Sequence, residues 1–121
     1  VKIMQEDDCV SYGRNYQAKV NDKVATVSIG YADGYPRILS NQHPQVLIHG
    51  KRCEIIGNIC MDQIMVNVSH LDNVQEGDIV TLFGQDGDET ITVDELTRWA
   101  NTINNDTFCW FSARVPRIYH E

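Results

Sequence analysis

Short stretches of β-branched and aromatic residues, each bounded by a turn signal, divide the chain and constrain its fold more than any other feature. Such stretches are typical of β-strands. Their sequences are YQAKV, KVATVSIGY, PQVLIH, RCEIIGNICM, QIMVNVS, DIVTLFG and FCWFSARVPRIY. The pairs Asp33-Gly34, His49-Gly50, Glu76-Gly77 and Asp86-Gly87 lie between them, and they favour short, hairpin-like connections. Evenly spaced short strands indicate a closed barrel or a sandwich. The predicted fold class is mainly β, a closed or partly open β-barrel-like domain.

One α-helix is predicted near residues 93–103. Thr92 can cap its first turn, and Glu95, three residues later, completes the signature of a capping box. The apolar residues that then share one helical face are Val93, Leu96, Trp99, Ala100 and Ile103. The next residues, NNDTFCWF, are expected to lead directly into a strand, with Asn104 and Asn105 at the junction.

Length and charge limit what this chain can do. Its 121 residues are predicted to form a single domain over residues 1–121. The net charge of −7 argues against nucleic acid and anionic membrane surfaces as partners, because both require clustered Lys and Arg. We therefore expect no nucleic-acid binding and no direct membrane contact. Because the chain opens on Val1 rather than Met, we expect it to be part of a larger protein.

Motifs of self-contained active sites are missing from the sequence, including the P-loop, G-x-S-x-G and H-E-x-x-H. The cysteines form no C-x-x-C pair, so no metal site is predicted. Unexpected polar residues do occur in CVSYGRNY, SIGYADGYPR and GNICMDQIMVNV. Taken alone, Tyr12 and Tyr31 fit half-buried packing residues at strand ends, and Met61-Asp62-Gln63 fits a bulge or kink. Composition and spacing thus indicate an acidic β-domain and no specific activity.

Seven blocks of sequence, read in chain order, resemble the C-terminal domain of bacterial alanine racemases. The blocks are VSYGRNYQA, IGYADGYPR, VLIHGKR, GNICMDQIMV, GDIVTLFGQDGDE, LTRWANTIN and RVPRIY. The resemblance implies a homodimeric enzyme that depends on pyridoxal 5′-phosphate and acts on a small amino acid. In that family an N-terminal α/β barrel carries the cofactor and its lysine, and the C-terminal β-domain reaches into the partner subunit's site. No lysine of this chain matches the cofactor lysine, so the chain alone is expected to be inactive.

The resemblance assigns the catalytic role to Tyr12, the tyrosine of the SYG block. Racemisation removes the Cα proton from one face of the amino acid and returns a proton on the opposite face, which two bases do most simply. In the family these bases are the barrel lysine and this tyrosine. Since a free phenol has a pKa of about 10, Tyr12 would need nearby donors or cations to act near neutral pH. Those groups are expected in the barrel.

Substrate-binding roles carry over to two further positions. Tyr31 matches a tyrosine that lines the substrate entrance near the substrate carboxylate. Met61 matches the residue whose backbone N–H binds that carboxylate. Cys60 and Asp62 flank Met61, and we expect them to support it without transferring protons. Arg114 matches a signature residue that is expected to be structural.

Asn105 departs from the family pattern, because alanine racemases usually have tyrosine after TIN and this chain reads TINN. The family tyrosine lies near the cofactor phosphate and the pocket for the substrate methyl. A smaller amide with donor and acceptor groups favours a hydroxymethyl over a methyl. Asn105 is therefore a predicted substrate-binding residue, and the chain resembles the membrane-bound serine/alanine racemases of vancomycin-resistance clusters. That resemblance implies a D-serine-producing enzyme and a cytoplasmic domain of a membrane-anchored protein.

Three other interpretations stay open. The chain could belong to an ordinary alanine racemase, with no role for Asn105 in specificity. It could also be a β-domain that only dimerises or binds a partner, although the joint presence of Tyr12, Tyr31 and the CMDQ block argues against this. Finally, Asn105 could end the helix in a left-handed conformation, a role that Asn104 could also fill.

Overall fold

The computed structural model describes residues 22–120 and the backbone of residues 2–3, 9–10 and 16–17. In this part of the chain the strands are β1 (Lys2–Ile3), β2 (Cys9–Val10), β3 (Tyr16–Gln17), β4 (Lys23–Val27), β5 (Gln45–Ile48), β6 (Lys51–Ile56), β7 (Ile64–Asn67), β8 (Val80–Thr81), β9 (Gly84–Asp86) and β10 (Glu89–Ile91). The helices are α1 (Val93–Ala100) and α2 (Asn104–Phe108), and a 3-10 turn covers Arg37–Leu39.

Six strands form one sheet in the order β1-β4-β7-β6-β5-β8, and every adjacent pair is antiparallel. The sheet is curled like half of a barrel. Its edge strands, β1 and β8, do not pair with each other in the described structure. Two further two-stranded ribbons, β2-β3 and β9-β10, do not pair with the strands of this sheet. The predicted mainly β fold is therefore confirmed, in its partly open form.

The hairpin between β5 and β6 follows its predicted turn pair. Ile48 pairs with Lys51, and the two residues between them, His49 and Gly50, have φ values of 52° and 71°. Positive φ at both positions is the requirement of a type I′ turn, which matches the twist of the flanking strands. Asp86 accepts a hydrogen bond of 2.9 Å from the Gly50 N–H, so the β9-β10 hairpin holds the tip of this turn.

Helix α1 closes one side of the core and begins as predicted. The Glu95 N–H donates to Thr92 Oγ1 over 3.2 Å, and the Thr92 N–H donates to Glu95 Oε2 over 2.9 Å. Leu96 and Ala100 are buried in the main hydrophobic cluster with residues of the curled sheet. The helix ends at Ala100, three residues before the predicted limit, because Asn101 adopts a left-handed conformation with φ of 53°.

Two predictions for the segment after α1 are wrong. The chain does not pass from helix to strand, since α2 begins at Asn104, and FCWFSARVPRIY forms no strand after α2 ends. Local hydrogen bonds replace a strand ladder here. Asp106 accepts from the Trp110 Nε1–H over 3.1 Å, and the Val115 N–H donates to Ser112 O over 3.1 Å. Of the aromatic residues that favoured a strand in the sequence, Trp110 and Phe111 instead pack against the core cluster, whereas Phe108 and Tyr119 are exposed.

Arg52 of β6 ties the sheet to α1 and to β10. Its guanidinium donates to Glu95 Oε1 over 2.9 Å, to Glu89 Oε1 over 3.1 Å and to the Thr90 carbonyl over 2.7 Å. The hydrogen bond from Arg52 is the main cause that lowers the pKa of Glu95 below its ordinary value. Glu95 therefore serves both the capping box and an ion pair, and the ion pair favours the folded state only while Glu95 is ionised.

Replacing Glu95 with Gln separates these two roles. Glutamine can keep the capping box, so the Glu95→Gln variant should lose mainly the ion pair and be less stable by roughly 1 kcal/mol at pH 7. Because the folded-state pKa of Glu95 is lowered, this stability is present above its ordinary pKa, about 4.3, and disappears as the pH falls through the folded value. Urea denaturation from pH 7 to pH 2.5 should show the two proteins converging at low pH. A constant difference at every pH would contradict the ion-pair explanation.

Candidate functional site

Two turns that lie far apart in the sequence meet at one end of the sheet. The first, the Tyr31 turn, covers residues 30–34 after β4, and the second, the Met61 turn, covers residues 60–63 before β7. The Tyr31 N–H donates to the Cys60 carbonyl, and the Ala32 N–H donates to the Met61 carbonyl, each over 3.0 Å. These backbone bonds bring together two of the predicted substrate-binding residues, Tyr31 and Met61.

Glycine at position 30 allows this close approach. A Cβ atom at Gly30 would lie 2.2 Å from the Cys60 carbonyl oxygen and 2.4 Å from that of Met61. Gly34, at the other end of the turn, has φ of 115°, and a Cβ there would lie 2.0 Å from the Trp110 carbonyl oxygen. The Tyr31 turn is thus packed between the Met61 turn and the segment that follows α2.

Asp33 fixes the shape of the Tyr31 turn. Its Oδ2 accepts a hydrogen bond of 3.0 Å from the Gly30 N–H, and its Oδ1 lies 3.1 Å from Arg114 Nε.

Tyr35, two residues after Asp33, is fully buried, and its hydroxyl makes no hydrogen bond within the described residues. Burial raises the pKa of Tyr35, which is therefore a neutral core residue and no candidate for a base.

The paired turns present groups that suit an anionic ligand. The Met61 side chain is about half exposed, and its N–H donates no hydrogen bond to another described residue. Tyr31 is 41% exposed, and its hydroxyl is also without a partner among the described residues. A carboxylate can accept hydrogen bonds from a backbone N–H and a phenol at once. The carboxylate-binding role of Tyr31 and Met61 stays a prediction.

Cys60 and Asp62 flank Met61 in different environments. Cys60 is buried, and its N–H donates to the Gln63 carbonyl over 3.1 Å, which closes the Met61 turn. Asp62 is exposed and accepts a hydrogen bond of 2.9 Å from Arg114 Nη2. Their predicted supporting roles thus rest on different contacts, a closed turn for Cys60 and an ion pair for Asp62.

Asn105 lies in the first turn of α2, where its side chain is exposed and makes no hydrogen bond within the described residues. Its neighbour Asn104 accepts from Thr97 Oγ1 and donates to Asp94 Oδ1, each over 2.8 Å, and so docks α2 on α1. The suggestion that either asparagine ends α1 in a left-handed conformation is wrong, since Asn101 does so. Within the described residues, no side-chain hydrogen bond or ion pair joins Asn105 to the Tyr31 or Met61 turn, and its substrate-binding role stays a prediction.

Tyr12, the predicted base, lies outside the described residues. Its role stays a prediction that depends on the SYG block. The sequence did not predict the contacts of three residues that shape the two turns, Gly30, Asp33 and Arg114. Pattern alone identified the Asp33-Gly34 turn, but a bond between side chains 52 residues apart, such as that of Arg114 with Asp62, leaves no local signal.

A metal or a covalently attached cofactor would require ligating side chains or a lysine near the two turns. No group of three or more His, Cys, Asp or Glu residues that could hold a metal occurs among the described residues. The Lys23 ammonium group donates a hydrogen bond to the Leu71 carbonyl, and Lys51 lies in the β5-β6 hairpin. Neither lysine belongs to the two turns. The two turns, both within the described residues, therefore offer no lysine for attachment of pyridoxal phosphate.

The fold is therefore a β-domain built on a half-barrel sheet, with the Tyr31 turn and the Met61 turn joined at one end. Residues 1–119 match the family described as "Alanine racemase, C-terminal domain". The chain belongs to that family.

Relatives and solved structures agree with this assignment. The alanine racemase of Methanococcus maripaludis is 48% identical over 119 residues, which are 98% of this chain and 31% of that protein. "Alanine racemase 2" of Caldanaerobacter subterraneus is 44% identical, over 98% of this chain and 30% of that protein. The crystal structure of alanine racemase from E. faecalis has a TM-score of 0.91 and 40% identity, and covers 98% of this chain and 31% of the solved chain. That from Bacillus anthracis with bound L-Ala-P has a TM-score of 0.91 and 41% identity, with coverage of 99% and 30%.

The chain thus spans about a third of the length of the curated relatives it matches. These relatives are named alanine racemases, and the similarity gives no support to the narrower resemblance to membrane-bound serine racemases. None of the helices in the described part of the chain is long and apolar enough to cross a bilayer.

Proposed function

We propose that this chain is a single domain that forms the C-terminal part of a pyridoxal-phosphate-dependent alanine racemase, and that it supplies substrate-contacting groups to the active site. The observation that carries the proposal is the direct backbone pairing of the Tyr31 and Met61 turns, over 3.0 Å at two positions, in a chain of this family. The pairing holds the Met61 N–H, which has no partner among the described residues, and the Tyr31 phenol at the same end of the sheet.

The proposed site divides the work between this chain and the rest of the protein. Met61 donates its backbone N–H to the substrate carboxylate, and Tyr31 lines the approach to it. Tyr12 takes or returns the Cα proton on one face of the substrate. A homodimer is proposed because Tyr12 would act in the site of the partner subunit. The site is then incomplete in either part alone.

Pyridoxal phosphate would be attached to a lysine outside this chain, where it acts as an electron sink that makes the Cα proton removable. This chain's own share is orientation. Two groups that hold the substrate carboxylate limit rotation of the amino acid, so that its Cα–H bond stays directed at a base. Cys60 contributes by closing the Met61 turn, and Asp62 by its bond to Arg114.

A second candidate, preference for serine, depends on Asn105 alone. Its exposed side chain has no hydrogen-bond partner among the described residues, so its amide is free to contact a ligand. If it met the serine hydroxyl, one hydrogen bond would favour serine by about 1 kcal/mol, or roughly fivefold to tenfold. Production of D-serine, a role in vancomycin resistance and a membrane anchor outside this chain would follow only from this candidate.

Racemisation of L-alanine and L-serine by the full-length protein tests both candidates. We expect alanine to be the better substrate, and Asn105→Tyr to lower kcat/KM for serine by about tenfold while alanine is spared. Asn105→Ala is the matched variant, because it removes the amide without adding a ring. Faster turnover of serine than of alanine would favour the second candidate, and an unchanged serine-to-alanine ratio in both variants would exclude Asn105 from specificity. Absence of racemisation with either substrate would overturn the proposed function.

A further inference from the structure

We propose that Arg114 is a positioning residue that sets the separation between the Tyr31 turn and the Met61 turn, and thereby the affinity for the substrate carboxylate. The proposal rests on the function proposed above. Sequence resemblance marks Arg114 only as a structural signature residue. Its contacts give it a more definite role, because one guanidinium reaches an acidic side chain of each turn.

The two ion pairs use different nitrogens of the same planar group. Arg114 Nε lies 3.1 Å from Asp33 Oδ1, and Nη2 lies 2.9 Å from Asp62 Oδ1. A guanidinium is rigid and presents its donors in a fixed fork. The distance between the two carboxylates is therefore limited by the size of the group that joins them.

These ion pairs connect directly to the proposed ligand-binding atoms. Asp33 also accepts from the Gly30 N–H over 3.0 Å, immediately before Tyr31 in the chain. Asp62 immediately follows Met61. A continuous series of bonds thus runs from the backbone before Tyr31, through Asp33 and Arg114, to the residue after Met61.

The other hydrogen bonds between the two turns come from two consecutive residues. The Tyr31 and Ala32 N–H groups bond to the carbonyls of Cys60 and Met61. Tyr31 and Met61 are both substantially exposed, so little side-chain packing fixes them. Arg114 adds a second attachment from the segment after α2, and it resists rotation of one turn against the other.

Replacing Arg114 with Gln tests the proposal in the full-length protein. We expect KM for L-alanine, and the inhibition constant of propionate as a probe of carboxylate binding, to rise about tenfold, while kcat changes less than threefold. Amide hydrogen exchange at Tyr31 and Ala32 should accelerate about tenfold. Arg114→Lys should restore only part of the effect, because one ammonium cannot reproduce the fork. Arg117→Gln is the matched control, since Arg117 donates to the Phe111 carbonyl and forms no side-chain hydrogen bond or ion pair with either turn among the described residues.

The outcomes separate this proposal from the proposed function. Faster exchange with unchanged KM and propionate inhibition would make Arg114 a structural joint only and overturn its positioning role. If amide hydrogen exchange at Tyr31 and Ala32 is unchanged, Arg114 does not hold the two turns together, whatever the values of KM and the inhibition constant. If the wild-type protein racemises nothing, the proposed function fails, and propionate binding measured by calorimetry together with exchange still decides the role of Arg114. An equal effect of Arg117→Gln would also overturn the proposal.

Discussion

The variant Gly30→Ala should lose at least 99% of racemase activity in the full-length protein and destabilise its C-terminal domain by about 3 kcal/mol. The new Cβ would lie 2.2 Å from the Cys60 carbonyl oxygen, 2.4 Å from the Met61 carbonyl oxygen and 2.5 Å from the Met61 carbonyl carbon. All three atoms belong to the backbone, so no side-chain rotation can relieve the contact. The two turns must move apart, which breaks or lengthens their two hydrogen bonds.

The loss of activity would follow from displacement of the substrate-binding groups. A movement of about 1 Å at a reacting centre can cost roughly 100-fold in rate, and the clash at Gly30 requires a movement of that order. Steady-state kinetics with L-alanine measures this effect, and urea denaturation of the 121-residue chain measures the change in stability.

Gly77→Ala provides a control of the same chemical size. A Cβ at Gly77 meets no atom within 4 Å, although φ there is 95°. The control therefore has the cost of a left-handed conformation, roughly 1–2 kcal/mol, without a steric clash. Gly30 is not among the glycines with positive φ, so its cost should come from the clash alone. Equal destabilisation by the two substitutions would contradict the close approach of the turns.

Much of the fold was predictable because its signals are local. Turn pairs and β-branched stretches identify the main strands, and Thr92 with Glu95 identifies the start of α1. The end of α1 was not predictable to the residue, because Asn101, Asn104 and Asn105 are all able to follow a helix. In the structure Asn104 instead docks on α1 through its side chain, and Asn101 takes the left-handed position.

The prediction of a strand in the C-terminal segment was wrong for a related reason. Its aromatic residues have high strand propensity, but strand propensity mainly measures how well a side chain packs on a half-buried surface. Trp110 and Phe111 find such a surface against the core without a strand partner. Pro116, which lacks an N–H, further weakens a ladder in this segment.

Resemblance indicated Tyr31 and Met61 as candidate site residues, whose roles stay predictions, but no pattern in the sequence indicated that their turns would pair. Tyr31 and Met61 meet only because β4 and β7 are neighbours in the sheet and because residue 30 has no side chain. Neither the pairing of β4 with β7 nor the need for glycine at position 30 produces a periodic pattern in the sequence. The bonds of Arg114 to Asp33 and Asp62 are similarly non-local, and an isolated arginine in an RVPR block does not indicate its partners.

Replacing Tyr12 with Phe should reduce racemisation of alanine by a factor of roughly 100 to 10,000, the usual contribution of a positioned general acid or base. The substitution removes one oxygen and keeps the ring, so substrate binding should change little. A two-base reaction cannot proceed when one face of the Cα carbon has neither donor nor acceptor of a proton. KM for L-alanine should therefore stay within about threefold of the wild-type value, while kcat falls.

Solvent deuterium exchange separates loss of a base from general damage to the site. Each base removes the Cα proton of one enantiomer only, because the two bases act on opposite faces. With Tyr12→Phe in D₂O, one enantiomer of alanine should still exchange its Cα proton without racemising, while exchange of the other is lost. Tyr119→Phe, which changes an exposed tyrosine, should leave both rates unchanged. Equal loss of exchange for both enantiomers would contradict the two-base assignment, and full activity of Tyr12→Phe would remove Tyr12 from the reaction altogether.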